Sequence, residues 1–279
     1  MARRARNLQS ESFIHITQQC EWQKFLFESE EMREYYLWLL KEVIAKFGLL
    51  VLGYCIMKNH IHLLVKVGAD VTRVSRAMQS LAGRMAQHFN RVNGIKGHFW
   101  RDRFSSTHIG TSSHFKNVIS YIDANALNHQ QGMDPIHWKY CSYHELQNCD
   151  AEVSIVDRAL LVNTLKMQSI KEFLDWQRKL MERQQGRRAI VAASHSVKYS
   201  GHFALGTQNE IRLLKQRLRK RGQYSYSRYL GLDHEGDPLW SLDLCSQTYA
   251  IWYERRQSSG SESTASIVDA NLYPREKVK

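Results

Sequence analysis

Leu49-Leu50-Val51-Leu52-Gly53-Tyr54-Cys55-Ile56-Met57-Lys58-Asn59-His60-Ile61-His62-Leu63-Leu64-Val65-Lys66-Val67 is the stretch on which the fold turns. Its first half, through Met57, is nearly all apolar, as in a strand buried on both faces. Lys58-Asn59 makes a short turn, and a second strand follows from His60 to Val67. With a period of two, His60 and His62 share one face of that strand, and Ile61, Leu63 and Val65 share the other. Two imidazoles about 7 Å apart along a strand can converge on one divalent cation. In a chain with 13 histidines, a structural pair gives the same pattern.

Alternating strands and helices flank this hairpin. Ser12 to Gln18 alternates Phe13, His15 and Thr17 with Ile14 and Ile16, which predicts a strand. Glu30 to Lys46 has helical spacing. Val71 to Val92 is the clearest helix, with Val74, Met78, Leu81, Met85, Phe89 and Val92 on one arc and Arg73, Arg84 and Arg91 beside it. Gly97-His98-Phe99-Trp100-Arg101-Asp102-Arg103-Phe104 interleaves aromatics with arginines. That suits either a platform for bases and phosphates or a loop anchored by Trp100 and Phe104. A strand is expected over Phe104–Thr111. Ser112 or Ser113 then caps a helix bearing Tyr121-Ile122-Asp123-Ala124-Asn125, in which Tyr121 and Asn125 are i, i+4 and share a face.

Charge separates the second half from the first. The 279 residues carry net +12 with a sequence pI near 9.5, which points to a polyanionic partner, nucleic acid first. Residues 178–221, including Arg187, Arg188, Arg217, Arg219, Lys220 and Arg221, account for +10. Helices are expected over Ile155–Arg183 and Asn209–Lys220, and a disordered Ser-rich tail from Gln257. The longest apolar run, Phe47–Met57, is too short for a bilayer span of about 20 residues. Five cysteines without a C-x-x-C pair argue against a disulfide scaffold or zinc knuckle and for a reducing cytoplasm. No phosphate-binding glycine loop is present.

The order Gly53-Tyr54-Cys55-Ile56-Met57-x-Asn59-His60-Ile61-His62-Leu63-Leu64-Val65, then His88-Phe89-Asn90, then Gly97-His98-Phe99-Trp100-Arg101-Asp102-Arg103-Phe104, then Tyr121-Ile122-Asp123-x-Asn125, resembles the single-tyrosine HUH transposases (HUH: His, hydrophobic, His). It is most similar to their bacterial branch associated with repetitive extragenic palindromes. The resemblance covers roughly residues 10–148, with Trp138 and Ser142-Tyr143 trailing. It implies an α+β fold, an antiparallel sheet with helices in a ferredoxin- or RRM-like HUH domain over residues 1–150. A mainly helical, basic DNA-binding extension over 151–256 and a tail over 257–279 complete the expected organisation.

By the same resemblance, His60 and His62 are metal ligands, Asn125 is a third ligand and Tyr121 is the catalytic nucleophile. The expected cofactor is Mg²⁺ or Mn²⁺, with no nucleotide cofactor. The implied reaction is nicking and strand transfer on single-stranded or hairpin DNA through a 5′-phosphotyrosine. A phenol with a pKa near 10 needs a cation or base beside it to attack at neutral pH. Arg73, Arg84, Arg91, Arg101 and Arg103 are the expected phosphate contacts of the first half, and the 178–221 block is the expected clamp. The implied setting is the bacterial cytoplasm at the nucleoid, as monomer or homodimer, without a membrane partner. Two positions depart from the family pattern: Lys58 stands where a proline is usual, and Ala126-Leu127-Asn128-His129 replaces Pro-Val-Arg-Ala. A non-catalytic, domesticated DNA- or RNA-binding protein on the same fold is the competing reading. A metal-dependent phosphoesterase that uses water is a third.

Overall fold

Two apolar runs separated by two residues can pair only as a hairpin, and the sheet is built around it. The computed structural model describes residues 8–21, 26–129, 135–148, 154–191, 204–232 and 238–245. The elements run β1 (Phe13–Gln19), α1 (Glu30–Phe47), β2 (Leu50–Ile56), β3 (His60–Lys66), α2 (Thr72–Val92), β4 (Ser105–Ile109), α3 (Ser112–His129), α4 (Ser142–Asn148), α5 (Arg158–Leu165), α6 (Ile170–Val191), β5 (Ala204–Gly206), α7 (Gln208–Lys220), β6 (Tyr224–Leu232) and β7 (Pro238–Cys245). The strands form one sheet in the order β2-β3-β1-β4-β5-β7-β6.

β1 lies between β3 and β4 and is antiparallel to both, while β2 is antiparallel to β3. β1-α1-β2 and β3-α2-β4 are therefore split β-α-β units, and right-handed crossovers put α1 and α2 on the same face. This is the ferredoxin-like arrangement expected. Ser29 caps α1, its hydroxyl accepting from Met32 N–H, and Gly48 ends the helix at φ 62, a conformation that favours glycine. Ile14, Ile16, Ile61, Leu63 and Val65 are buried, as are Tyr36, Leu39 and Val43 of α1 and Val74, Met78, Leu81 and Met85 of α2. Val92, expected on the core arc of α2, is 49% exposed because the helix has already passed the edge of the core.

The other face of the sheet is covered by α3. Phe13 of β1 packs edge-on against Phe115 of α3, with ring centroids 4.9 Å apart. Ile119 of α3 lies over Gly53 of β2, where a Cβ would meet the Ile119 side chain at 3.5 Å and Ser142 Oγ at 3.4 Å. The N-cap of α3 is Thr111, one residue before the serines expected to fill that role: its hydroxyl accepts from His114 N–H at 3.1 Å.

Beyond residue 150 helical residues outnumber strand residues among those described, as expected, but the sheet also continues there. Helices α5, α6 and α7 are present, and three strands are added. β5 pairs with β4 in parallel, at His108–Ala204 and Ile109–Leu205, which makes the sheet mixed. β5-α7-β6 forms a third split unit around β7, so α7 lies on the α1/α2 side. Ile211, Leu214 and Leu218 of α7 pack there on Ala204 and Leu242. Leu205 and Leu239, facing the other way, join the main core. The outer edge of β2 is covered as well: Asp157 N–H donates to Val51 O at 2.8 Å, and Cys141 pairs with Cys55 through an antiparallel backbone bridge, both thiols remaining free. The Ser-rich tail expected from Gln257 lies outside the described residues.

Candidate active site

The β1–β3 register sets Thr17 opposite His62 and Gln19 opposite His60, and places His15 diagonally next to His62 on the same face. That face looks at α3. The His60 and His62 rings are 4.9 Å apart between centroids, and Tyr121 sits edge-on to His62 at 5.6 Å and to His15 at 6.0 Å. His62 and His15 are buried, while His60 and Tyr121 are half-buried. The histidine pair and the helical tyrosine, read from separate motifs, thus come together.

His15 is the residue the sequence reading passed over. Its Nε2 lies 2.9 Å from His62 Nδ1, with the two rings nearly parallel. His60 Nδ1 lies 2.7 Å from Asn59 Oδ1. An amide oxygen only accepts, so His60 carries its proton on Nδ1 and its lone pair on Nε2. His15 can hold His62 in the same tautomer. Hydrogen bonds of this kind orient imidazoles for a metal through Nε2. His15 has spent its own Nε2 on His62, so it serves as an orienting group.

Asn125 is fully buried, and its Nδ2 donates to Tyr121 O at 2.8 Å. Its Oδ1 is buried and accepts no hydrogen bond from the described residues. An imidazole held with its lone pair on Nε2, a second that His15 can hold the same way, and an orphaned amide oxygen are donor types suited to a divalent ion that takes nitrogen and oxygen. Among the described residues no cluster of three or more His, Cys, Asp or Glu side chains is arranged to hold a metal. A third donor to go with His60 and His62 would therefore have to be of another type, and an amide oxygen such as Asn125 Oδ1 is one. Cys20, Cys55 and Cys141 are buried free thiols. Burial pushes Cys20 up to about 12 and the other two well above their usual range, which leaves none of them a competing nucleophile.

The expected DNA contacts fall in separate places. Arg101 reaches the site: its Nη1 donates to Gln19 Oε1 at 3.3 Å and its backbone N–H to Gln19 O at 3.0 Å. Gln19 is opposite His60, so this exposed guanidinium sits at the end of the histidine strand. Arg103 is exposed nearby. In the same loop Phe99 and Phe104 are buried and Trp100 Nε1 donates to Ala82 O, so the aromatics anchor the loop and form no platform. Arg73, Arg84 and Arg91 are on α2, across the sheet from Tyr121. There Arg73 pairs with Asp70 at 3.6 Å, Arg84 lies over the Trp38 ring and Arg91 is 3.4 Å from His88. Arg217, Arg219, Lys220 and Arg221 are exposed at the C-terminal end of α7. Arg187 and Arg188 fall within α6, but their side chains lie outside the described residues.

Fold and site together define an α+β protein in which a His-x-His strand faces a tyrosine on a crossing helix. Residues 9–125 match the family described as transposase IS200 like. Among solved structures it is similar to a REP-associated tyrosine transposase bound to a REP hairpin, at 15% identity over 52% of this chain and 84% of that one, with a TM-score of 0.42. It is also similar to a candidate transposase from Deinococcus radiodurans, at 16% identity over 44% of this chain and 97% of that one, with a TM-score of 0.32. No curated protein matches the chain. Among the described residues no helix is long and apolar enough to cross a membrane.

Proposed function

We propose that the chain nicks and rejoins single-stranded or hairpin DNA, with Tyr121 as the nucleophile. The observation that carries this reading is the edge-on approach of Tyr121 to His62 and His15 at 5.6 and 6.0 Å. Tyr121 Oη attacks the phosphorus and the P–O3′ bond breaks. The phenolic proton passes to solvent or to the imidazole cluster, and the departing 3′ oxygen is protonated. The products are a 5′-phosphotyrosine and a free 3′-OH. Attack by a 3′-OH on the phosphotyrosine reverses the step, so no ATP is consumed.

His60 and His62, through Nε2, and Asn125 Oδ1 are the groups that would hold Mg²⁺ or Mn²⁺, which when bound neutralises charge on the reacting phosphate. Arg101, steadied by Gln19, binds the DNA backbone next to the scissile bond. In the proposed division of labour residues 1–150 cut and residues 151–256 hold the flanking DNA, although the two share one sheet.

The test is covalent trapping on candidate hairpin oligonucleotides with Mg²⁺ or Mn²⁺. The expected result is a protein–DNA adduct that chelation abolishes, added Mn²⁺ restores and Tyr121→Phe eliminates. An adduct that survives Tyr121→Phe, or cleavage without any adduct, overturns the assignment. Salt-sensitive DNA binding with no cleavage, unchanged by Tyr121→Phe and His60→Ala, would favour a binding protein instead.

A further inference from the structure

The family-matched segment ends at Asn125, yet the helix that carries Tyr121 is fastened by residues beyond it. Asp123 is fully buried and faces away from the site, because two residues along a helix turn the side chain by about 200°. Its Oδ1 accepts from Ser142 Oγ at 2.7 Å and from Tyr143 N–H at 3.3 Å, both on α4. Ser142 is bound in turn to β2, where its Oγ accepts from Tyr54 N–H at 3.0 Å and lies 3.1 Å from Tyr54 O. Asp123 Oδ2 accepts from Gln177 Nε2 of α6 at 2.8 Å, and the same Nε2 lies 3.3 Å from Ile119 O. Gln177 is itself fully buried.

We infer that Gln177 is a positioning residue for the Tyr121 nucleophile, acting from outside the matched segment by fixing the rotation of α3 about its own axis. The inference rests on the reading of Tyr121 as the nucleophile. A helix lying on a sheet is held along its length by apolar contacts such as Ile119 on Gly53, which tolerate small rolls. Directional bonds to both oxygens of one carboxylate do not. Asp123 is held by α4 on one side and α6 on the other, so a roll in either direction strains one set of bonds. Tyr121 and Asn125 sit two residues to either side of Asp123, on the opposite surface of α3. Their aim at the histidine strand is therefore set by Asp123, and Gln177 supplies half of that anchor. Gln177 Oε1 accepts no hydrogen bond from the described residues although it is buried. An uncompensated amide oxygen lowers stability, and an apolar side chain would fill the same space without that penalty. The amide is retained for its N–H.

The test uses the full chain with 3-fluorotyrosine at position 121. Ring currents of His15 and His62 give this fluorine a distinct resonance, readable without DNA. Gln177→Met, of similar length and without the donor, is expected to shift or broaden that resonance. On a hairpin that wild-type protein cuts, it is expected to slow single-turnover adduct formation about ten- to a hundredfold. DNA affinity is expected to stay within about twofold. The paired swap Asp123→Asn with Gln177→Glu, which restores a bond in the reverse direction, should recover much of both. Should Gln177→Met not fold, Gln177→Asn keeps the amide but falls one methylene short, and it is read the same way. An unchanged fluorine resonance, or a lowered melting temperature with an unchanged adduct rate, overturns the inference. Failure of wild-type protein to form an adduct removes Tyr121 as nucleophile, and the fluorine measurement still decides whether Gln177 sets its orientation.

Discussion

His15 shows how much of a site can depend on a residue without its own motif. It touches both His62 and Tyr121, and its Nε2 holds His62 at 2.9 Å. Replacing such an orienting partner typically costs about 10–100-fold in metal affinity or activity. His15→Gln is therefore expected to weaken Mn²⁺ binding and adduct formation together by about that factor, with the fold intact. Calorimetric titration with Mn²⁺ and a trapping assay would check this, and a normal Mn²⁺ affinity would count against the role. His60, His62 and Tyr121 were legible because each signal lies within one element: a two-residue strand period and a four-residue helix period. His15 was visible as a strand residue, but its meaning depends on the β1–β3 register, which no local pattern reveals. Gln177 is farther out of reach, 54 residues from the carboxylate it holds.

At the scale of elements, α1, α2 and α7 were predicted to within a residue, the one helix expected over Ile155–Arg183 is two, Arg158–Leu165 and Ile170–Val191, and the C-terminal strands were not predicted. β5 has only three residues. β6 begins Tyr224-Ser225-Tyr226-Ser227, and it buries Ser225 while the tyrosines are half-buried, which inverts the usual apolar-in alternation. The junction of these strands with the first sheet carries a pH signature. His108 of β4, paired with Ala204, has its pKa lowered, chiefly by burial and secondarily by Arg217, with Glu210 opposing. Below about pH 6.5 the unfolded chain takes up a proton that the folded imidazole resists, so stability falls as the pH falls. Urea unfolding at pH 7.5 and 5.5 should show wild-type protein losing more stability on acidification than His108→Gln. Equal losses would show that His108 does not contribute.

For the whole molecule, the basic surplus of residues 178–221 is partly built into the sheet. The strand and helix that follow α6 bury Ala204, Leu205, Ile211 and Leu218, so deleting residues 178–279 would strip the β4 edge along with the charge. Neutralising Arg217, Arg219, Lys220 and Arg221 to Gln is the cleaner experiment. DNA affinity is expected to fall, and the dependence of log K on log salt to flatten by up to about 0.7–0.9 per lost phosphate contact. An unchanged slope in a filter-binding titration would mean that these cations are only solvated surface. The α2 arginines and the α7 cations both lie across the sheet from Tyr121, so a strand of DNA that touched either group and Tyr121 would have to pass around an edge of the sheet.

Those edges also decide how two molecules could meet. The β2 border is closed by Asp157 and Cys141, and the β4 border by the three residues of β5. Among the described residues, the half of the sheet that holds the histidines therefore has both borders covered against extension by another chain. The remaining border is β6, the strand farthest in sheet order from β2, and its pairing with β7 is already kinked by a bulge between Tyr229 and Gly231. Among the described residues, that is the border where another copy could add a strand, four strands away from the His15-bearing strand. Self-association of that kind would leave the His15, His62 and Tyr121 cluster of each copy undisturbed.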